Sequence, residues 1–195
     1  KLYSFLDLKF FDTLQTLKNR FISKKEEENL KHKSEVIFKN IKNKKEILKI
    51  KIKGIECGDL IYDTYIRFRN QPTVDIEDEF LKSIIFISLL QIECFKKMHS
   101  IYRFKKIYTS YATYIHYGIL VRFFLNQNVE VYSGHTLSQY NKKITKTDQY
   151  HVENYKKFKK NFLLQKKKLE KLKEAQILIK NIFYNNRKNL EFRDY

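Results

Sequence analysis

A glycine followed by an aspartate, Gly58-Asp59, is the sharpest chemical feature of this sequence. The pair follows a short apolar segment that begins at Ile50 and precedes a helical pattern that ends near Arg69. A glycine allows close approach of the backbone, and the first turn of a helix presents free N–H groups that suit an anion. Asp59 is therefore a candidate general base or hydroxyl-binding carboxylate. Capping of the helix N-terminus is the structural alternative.

Two more charged residues follow on the same predicted helix. Asp63 and Arg67 are four residues apart, a spacing that is typical of an intrahelical ion pair. Arg67 and Arg69 are alternatively a pair of cations that could hold a phosphate or a carboxylate.

A second group of candidate residues follows the apolar segment at Ile107. Ser110, Tyr111 and Tyr114 come first, and His116 lies in the first turns of the next predicted helix. Histidine is the side chain best suited to exchange protons near neutral pH, and a structural hydrogen bond is its commoner use. The tyrosine rings can stack on a sugar or pack in the core.

A third group, Ser133-Gly134-His135, follows the next apolar segment, and a weaker fourth, Tyr150-His151, precedes the last helical pattern. We predict that His135 either touches substrate or lies in a surface turn, and that Tyr150-His151 folds back over the cleft. The H-E-x-x-H and G-x-S-x-G motifs and a Cys/His metal set are absent from the sequence, so we predict no metal site.

The elements that position these groups read as strand, helix, strand, helix, strand between Ile50 and Gly134. Strands that alternate with helices favour parallel pairing, because parallel strands need long crossovers. Ligands of such sheets bind beyond the carboxyl ends of the strands. We therefore expect an α/β, Rossmann-like, three-layer lobe with a small, mostly parallel sheet, and we expect Asp59, Tyr111 and His135 on one rim of it.

The remaining segments are predicted to be helical. Residues 1–48 read as a helical lead-in to an α/β lobe over 49–195. A long, largely apolar helix is expected to begin after a cap at Asp75 or Asp78 and to end near Tyr102. A last helix from Val152 to Asn185 has an apolar seam, and we expect it to lie on the domain with its lysines in water.

The charge of the chain is strongly positive. Its 40 Lys and Arg against 22 Asp and Glu give a formal net charge of +18, which favours phosphate-rich partners or reflects a lysine-rich composition. Two cysteines, Cys57 and Cys94, are too few for a disulfide framework and are expected to be reduced, as in the cytoplasm. The longest apolar run, Ile84–Leu90, is much shorter than the roughly 20 residues that span a bilayer. We expect a soluble or peripheral protein.

Several motifs resemble a family of glycosyltransferase-like proteins of bacterial capsule or lipopolysaccharide biosynthesis. The resemblance is carried by "GIECGDLIYDTYIRF" with "PTVDIEDEFL" (54–68 and 72–81), by "YTSYATYIHYGILVRFFLNQNVEVY" (108–132) with its Y-G-I-x-x-R pattern, and by "QYH" (149–151) and "NNRKNLEFRDY" (185–195). One departure is Ser110-Tyr111, where the family pattern leads us to expect Ser-His.

The resemblance implies a two-lobed GT-B architecture in which a second lobe binds most of the nucleotide-sugar donor. This chain is then the N-terminal, acceptor-side lobe, and it is consistent with a fragment that is inactive alone. The implied catalytic residues are Asp59 and His116. Substrate-binding roles are expected for Gly58, Asp63, Arg67, Ser110, Tyr111, Tyr114 and His135. No cofactor is expected beyond the donor substrate, and the implied partners are a nucleotide-sugar and a glycan or lipid-linked acceptor.

Three hypotheses follow for the function. The first is this glycosyltransferase lobe, cytoplasmic and placed at the inner face of the membrane. The second is a basic nucleic-acid-binding module, which the charge favours but which no RNP, KH, zinc-finger or helix-turn-helix signature supports. The third, compatible with the first, is docking to an anionic membrane surface through the basic last helix.

Overall fold

The computed structural model describes residues 14–134, 141–151, 160 and 162–184, which form a helix-rich α/β structure. Residues 1–152 form one compact unit and residues 153–195 a second. The elements of the first unit are α1 (Leu14–Phe21), α2 (Lys24–Lys39), α3 (Lys44–Ile47), β1 (Lys51–Ile52), β2 (Ile55–Glu56), α4 (Gly58–Arg69), α5 (Glu79–Tyr102), β3 (Lys106–Thr109), a π-helical segment (Tyr114–Gly118), α6 (Ile119–Asn126), β4 (Glu130–Gly134) and β5 (Asn141–Ile144). The second contains α7 (Lys168–Tyr184).

The predicted strand–helix–strand unit after Lys106 is confirmed. Strands β3 and β4 pair in parallel, from Lys106 opposite Glu130 to Thr109 opposite Ser133, and the π-helical segment and α6 connect them. Strand β5 then pairs antiparallel with β4, so the sheet order is β3-β4-β5. Parallel pairing follows from the length of the crossover, because a connection that contains a helix returns the chain to the same end of the sheet.

The first predicted strand does not join this sheet, and this part of the prediction is wrong. The segment from Lys51 to Glu56 forms a separate antiparallel hairpin of β1 and β2. Its two turn residues, Lys53 and Gly54, have φ angles of 50° and 80°. A two-residue turn with positive φ at both positions folds a chain directly back on itself, and glycine accepts that conformation without steric cost. The larger sheet therefore has one parallel and one antiparallel pair.

Helices α1 and α2 pack on α5 and contribute to the core of the first unit. Leu17, Phe21 and Leu30 are buried, and the Lys97 ammonium on α5 donates to the Phe21 carbonyl oxygen at 2.9 Å. The described part of the predicted helical lead-in thus packs on the α5 helix that follows the hairpin.

The predicted last helix is interrupted. Residues 162–164 are helical, Lys167 has a φ angle of 61°, and α7 begins only at Lys168. Three residues of the predicted seam are exposed in α7: Leu169 by 77%, Leu172 by 43% and Ile179 by 56%. The structure therefore does not bury the seam at these positions. Residues 152–159, at the start of the predicted helix, lie outside the described residues.

In the described part of the chain, no helix has both the length and the apolar character needed to cross a bilayer.

Asp78 joins the second half of α4 to the N-terminus of α5. Its carboxylate accepts the Phe80 N–H at 2.9 Å as the N-cap of α5, which confirms one of the two predicted capping residues. It also accepts two hydrogen bonds from Arg69, each 2.8 Å long, and one from the Tyr65 hydroxyl at 2.8 Å. The hydrogen bonds from Arg69, then those from Phe80 and Tyr65, lower the pKa of Asp78 to about 2.

We predict that Asp78→Asn lowers the free energy of unfolding near neutral pH and much less in acid. A carboxyl group whose pKa is lower in the folded state contributes stability above its unfolded pKa, about 4, and loses it as the pH falls through the folded value. The difference between the wild type and the variant should therefore shrink between about pH 4 and pH 2. Urea unfolding followed by circular dichroism measures it. Asp75→Asn, at an exposed carboxylate three residues away, is the control, and a difference independent of pH would contradict the assignment.

Candidate functional site

The carboxylate of Asp59 forms a bidentate ion pair with Arg122. The two guanidinium nitrogens Nη1 and Nη2 each lie 2.5 Å from a carboxylate oxygen, Oδ1 and Oδ2 respectively. Nη1 also donates to the backbone oxygen of Glu56 at 2.7 Å. The Arg122 side chain is 10% exposed, whereas that of Asp59 is 42% exposed. A buried guanidinium thus holds a carboxylate that remains accessible from outside, a geometry suited to recognising polar ligands.

The local fold explains why a glycine precedes Asp59. A Cβ atom on Gly58 would lie 2.2 Å from the carbonyl oxygen of Ile47, so only glycine lets α4 begin against the end of α3. The N–H groups of Cys57 and Gly58 both donate to the Ile50 carbonyl, at 3.0 and 3.1 Å. The close approach predicted at Gly58 is therefore to the chain itself. The N-cap of α4 is Cys57, so the capping alternative for Asp59 is wrong.

Two carboxylates one helical turn apart have pKa values shifted in opposite directions. Burial by itself raises the pKa of Asp59, but the hydrogen bonds and charge of Arg122 more than offset this, so the net shift is downward. Burial, and then the negative charge of Asp59, raises the pKa of Asp63. Opposite shifts of neighbouring carboxyl groups are typical of acid–base sites. Asp63 is thus the more basic of the two.

Asp59 and Arg122 line a polar cavity of about 350 Å³. Gln149 and Tyr150 form part of its wall although they lie far away in sequence, and Tyr150 is 53% exposed. The other lining residues are Leu48, Ile50, Lys51 and Glu56. A smaller cavity of about 180 Å³ adjoins it, sharing Glu56, Arg122 and Gln149. The size and the convergent polar groups are those of a small-molecule site.

A buried lysine brings Gln149 and Tyr150 to this cavity. Lys142 on β5 has a side chain that is only 6% exposed. Its ammonium donates to Asp148 Oδ1 and to the Tyr150 carbonyl oxygen, both at 2.8 Å. Two backbone hydrogen bonds of 3.1 Å between Thr145 and Asp148 close the turn that precedes Gln149. The wall of the cavity therefore depends on the charge of Lys142.

The neighbouring residue, His151, contacts the loop after β3. Its Nδ1 accepts the Ala112 N–H at 3.3 Å, and its ring lies 5.1 Å from the ring of Tyr111, edge to face. Tyr111 also contacts Tyr117 at 5.6 Å. The carbonyl oxygen of Ser110 accepts a hydrogen bond from Ser133. Tyr150 and His151 therefore connect the Asp59 cavity to the Ser110–Tyr111 loop. The cleft over which they were predicted to fold, at the rim of one parallel sheet, does not form as predicted because β1 and β2 pair apart from that sheet.

Tyr114 begins the π-helical segment with a φ angle of 55°. A bulky residue with positive φ is uncommon, and π-helical turns are frequent at functional sites. The conformation is held by Thr64, whose buried hydroxyl accepts the Ile115 N–H at 2.9 Å and donates to the Leu60 carbonyl at 2.6 Å. This loop is thereby fixed to α4.

His116 and Asp59 are not brought together at the cavity. His116 is exposed and packs on Phe68, with ring centroids 5.5 Å apart. Phe68 lies nine residues after Asp59 on α4, a separation of about 13 Å along the helix axis. Burial of part of the ring lowers the pKa of His116. The two residues predicted to be catalytic therefore do not line one pocket.

The remaining predicted residues are dispersed. Arg67 is exposed in the second half of α4, and the charges that act on the Asp63 carboxylate are those of Asp59 and Arg122. Asp63 and Arg67 do not form the predicted ion pair within the described structure. Arg69 is engaged by Asp78. His135 lies outside the described residues, so its predicted place on the rim stays a prediction.

Arg122 lines the cavity but was not among the predicted site residues. It is the last residue of the Y-G-I-x-x-R pattern and the one arginine within α6, a helix whose other residues are apolar up to its final asparagine. A charged side chain on a helix that is otherwise apolar is expected to be paired, because buried charges are rare without a partner. This pattern could have indicated Arg122 from the sequence. Lys51 and Gln149 carried no comparable signal.

Among the described residues, no cluster of three or more His, Cys, Asp or Glu side chains could hold a metal ion. Burial raises the pKa of both Cys57 and Cys94 to about 12, which makes these thiols unreactive near neutral pH.

Comparisons with protein-family models, with curated proteins and with solved structures found no match for this chain. The assignment of a function therefore depends on the chemistry of the cavity and on the motifs that meet there.

We predict that Lys142→Met destabilises the protein by about 3–5 kcal/mol, because removing one partner of a buried ion pair leaves the other charge uncompensated. Hydrogen–deuterium exchange of residues 145–151 should rise at the same time. The variant Lys142→Met/Asp148→Leu should recover part of the loss, since it removes both charges. The control is Lys143→Met, next to it but with a side chain 52% exposed. Equal effects of Lys142→Met and Lys143→Met would show that Lys142 does not hold the wall.

Proposed function

We propose that this chain is the acceptor-side lobe of a glycosyltransferase-like protein of bacterial surface-polysaccharide biosynthesis, with the Asp59 cavity as its sugar-binding site. One observation carries the proposal. Three segments that resemble the family, 54–68, 108–132 and 149–151, supply Asp59, Arg122 and Tyr150 respectively, and these three side chains line one cavity. Segments that are distant in sequence and meet at one polar pocket are expected of a binding site rather than of a packing feature.

The chemistry of the cavity suits a sugar. A carboxylate accepts hydrogen bonds from hydroxyl groups, whereas a guanidinium and an amide donate to them. Asp59, Arg122 and Gln149 provide these groups, and the exposed ring of Tyr150 offers an apolar surface to the C–H face of a pyranose. The mixture of acceptors, donors and one aromatic face matches the alternating polar and apolar surface of a carbohydrate.

The two carboxylates take different roles in the proposal. The pKa of Asp59 is lowered, so this group stays ionised and is a weaker base; we assign it to binding and orienting an acceptor hydroxyl. Asp63, one turn further along α4, has a raised pKa and is the more basic carboxylate, but it does not line the cavity, so we assign it no direct contact with the acceptor. His116, beside Phe68, is assigned to a neighbouring surface.

The architecture belongs to the proposal as well. The proposed architecture is a Rossmann-like lobe of a GT-B enzyme that contains the unit of β3, α6 and β4, with a second lobe that binds the nucleotide-sugar donor. The acceptor is a glycan or a lipid-linked glycan, and no cofactor takes part.

We predict that the chain binds glycans on a microarray and that Asp59→Asn and Arg122→Lys each weaken the binding by about tenfold or more. Both variants break the bidentate pair, and a charge-assisted hydrogen bond contributes about 1.5–3 kcal/mol. Affinities of the glycans that bind are measured by calorimetry.

The control for these variants is Asp75→Asn, which should bind like the wild type. Wild-type affinity of Asp59→Asn for a bound glycan, or the absence of any bound glycan, would contradict the proposal. Tight, salt-sensitive binding of RNA without glycan binding would favour the nucleic-acid alternative instead.

A further inference from the structure

A further cavity, of about 310 Å³, borders the sugar-binding cavity at Lys51 and has the opposite character. It is a groove between α2, β1 and α5, and we call it the aliphatic groove. Its walls are aliphatic side chains: Leu30, Val36, Ile37, Ile52 and Leu89. Leu30, Ile52 and Leu89 are almost fully buried beneath it, whereas Val36 is 46% exposed at its edge. A groove with such walls is stabilised by an apolar occupant rather than by water.

The rim of the aliphatic groove is positively charged. Lys33, Lys51 and Lys53 stand around it together with one acidic residue, Glu93. Lys53 is paired with Glu93, and Lys51 lies 2.9 Å from Glu56 in an ion pair whose two side chains are both exposed. The Lys51–Glu56 pair, exposed on both sides, contributes little to stability. Lys33 forms no ion pair with any residue in the described part of the chain, so its charge is uncompensated there.

We propose that the aliphatic groove binds the hydrocarbon chain of an anionic amphiphile and that the lysines of its rim hold the anionic head group. The apolar walls exclude a sugar or a nucleotide as the main occupant, because their polar groups would be left without partners. The cavity has the volume of about ten water molecules at roughly 30 Å³ each. A packed α-helix, about 10–12 Å across, is too wide for it. A single flexible chain fits, and the excess positive charge selects an anionic head.

The position of Lys51 relates the two cavities. Lys51 lines both the aliphatic groove and the polar cavity of Asp59 and Arg122. A head group held at Lys51 therefore lies beside the polar cavity, so that a sugar attached to the head group would be close to that cavity. This relation depends on the proposed glycosyltransferase function; binding of the amphiphile in the groove does not.

Calorimetric titration with dodecyl phosphate, below its micellar concentration, tests the proposal. We expect saturable binding, and we expect dodecyl maltoside and dodecyltrimethylammonium, with the same chain and an uncharged or cationic head, to bind at least about tenfold more weakly. Octyl phosphate should also bind at least about tenfold more weakly, because each buried methylene contributes to the transfer free energy.

Two variants locate the binding in the groove. Val36→Asp places a carboxylate at the apolar edge, and Lys33→Glu reverses the uncompensated charge; each should weaken binding of dodecyl phosphate by about tenfold. Lys25→Glu, the same charge change at an exposed position on the same helix, should leave binding unchanged. Circular dichroism establishes that the variants fold, and Lys33→Glu, at an exposed position, remains informative if Val36→Asp does not fold.

Three results would overturn the proposal. The first is no saturable binding of dodecyl phosphate to the wild type. The second is equal affinity for the three head groups, which would remove the role of the lysines. The third is equal weakening by Lys33→Glu and Lys25→Glu, which would indicate attraction to the overall charge instead of a site. Because none of these measurements involves a glycan, failure here is distinguishable from failure of the sugar-binding proposal.

Discussion

The side chain of Arg122 connects β2 and the start of α4 to α6, the helix between β3 and β4. It extends from α6, the helix of the strand–helix–strand unit, and donates to both carboxylate oxygens of Asp59 and to the Glu56 carbonyl. A guanidinium that is 90% buried is stable only when its donors are satisfied, so β2 and the start of α4 must lie where they do. The polar cavity is the space that this arrangement leaves open beside the accessible face of Asp59.

Helix α4 is held by side-chain contacts at three places along its length. Its first turn is held by Arg122, its middle is joined to the π-helical segment through Thr64, and its last turn is held by Asp78. A helix fixed at three levels positions Asp59 and Asp63 on a rigid element. Binding groups on rigid elements keep their geometry without further cost on binding.

The sequence predicted the parts of the fold that local patterns specify. The parallel pairing of β3 with β4 followed from two apolar segments separated by a helical one, and the Asp78 cap followed from an acidic residue before an apolar helix. The β1–β2 hairpin was missed because two-residue strands have too few residues to show a period, although Lys53-Gly54 is a turn signal. The predicted last helix contains no glycine or proline near Lys167, so no helix-breaking residue indicated the interruption there.

Only part of the candidate site was predicted, because contacts between residues distant in sequence bring its other members together. Asp59 was found because a glycine before it marks a close approach, but the partner of that approach, Ile47, and the partner of the carboxylate, Arg122, are contacts in space. Gln149 and Tyr150 reach the cavity through a buried ion pair between Lys142 and Asp148, which no periodicity encodes. Distant contacts of this kind depend on the register of β5 against β4, which follows from the packing of both strands and which a short local pattern such as 141–144 does not show.

The Asp59–Arg122 pair joins the start of α4 to α6 at the cavity, and a double-mutant cycle tests this contact most directly. Urea unfolding of the wild type, Asp59→Asn, Arg122→Gln and the double variant gives the coupling free energy of the pair. We expect a coupling of more than about 1 kcal/mol, as for residues in direct, partly buried contact. Additivity of the two single changes within about 0.3–0.5 kcal/mol would contradict it.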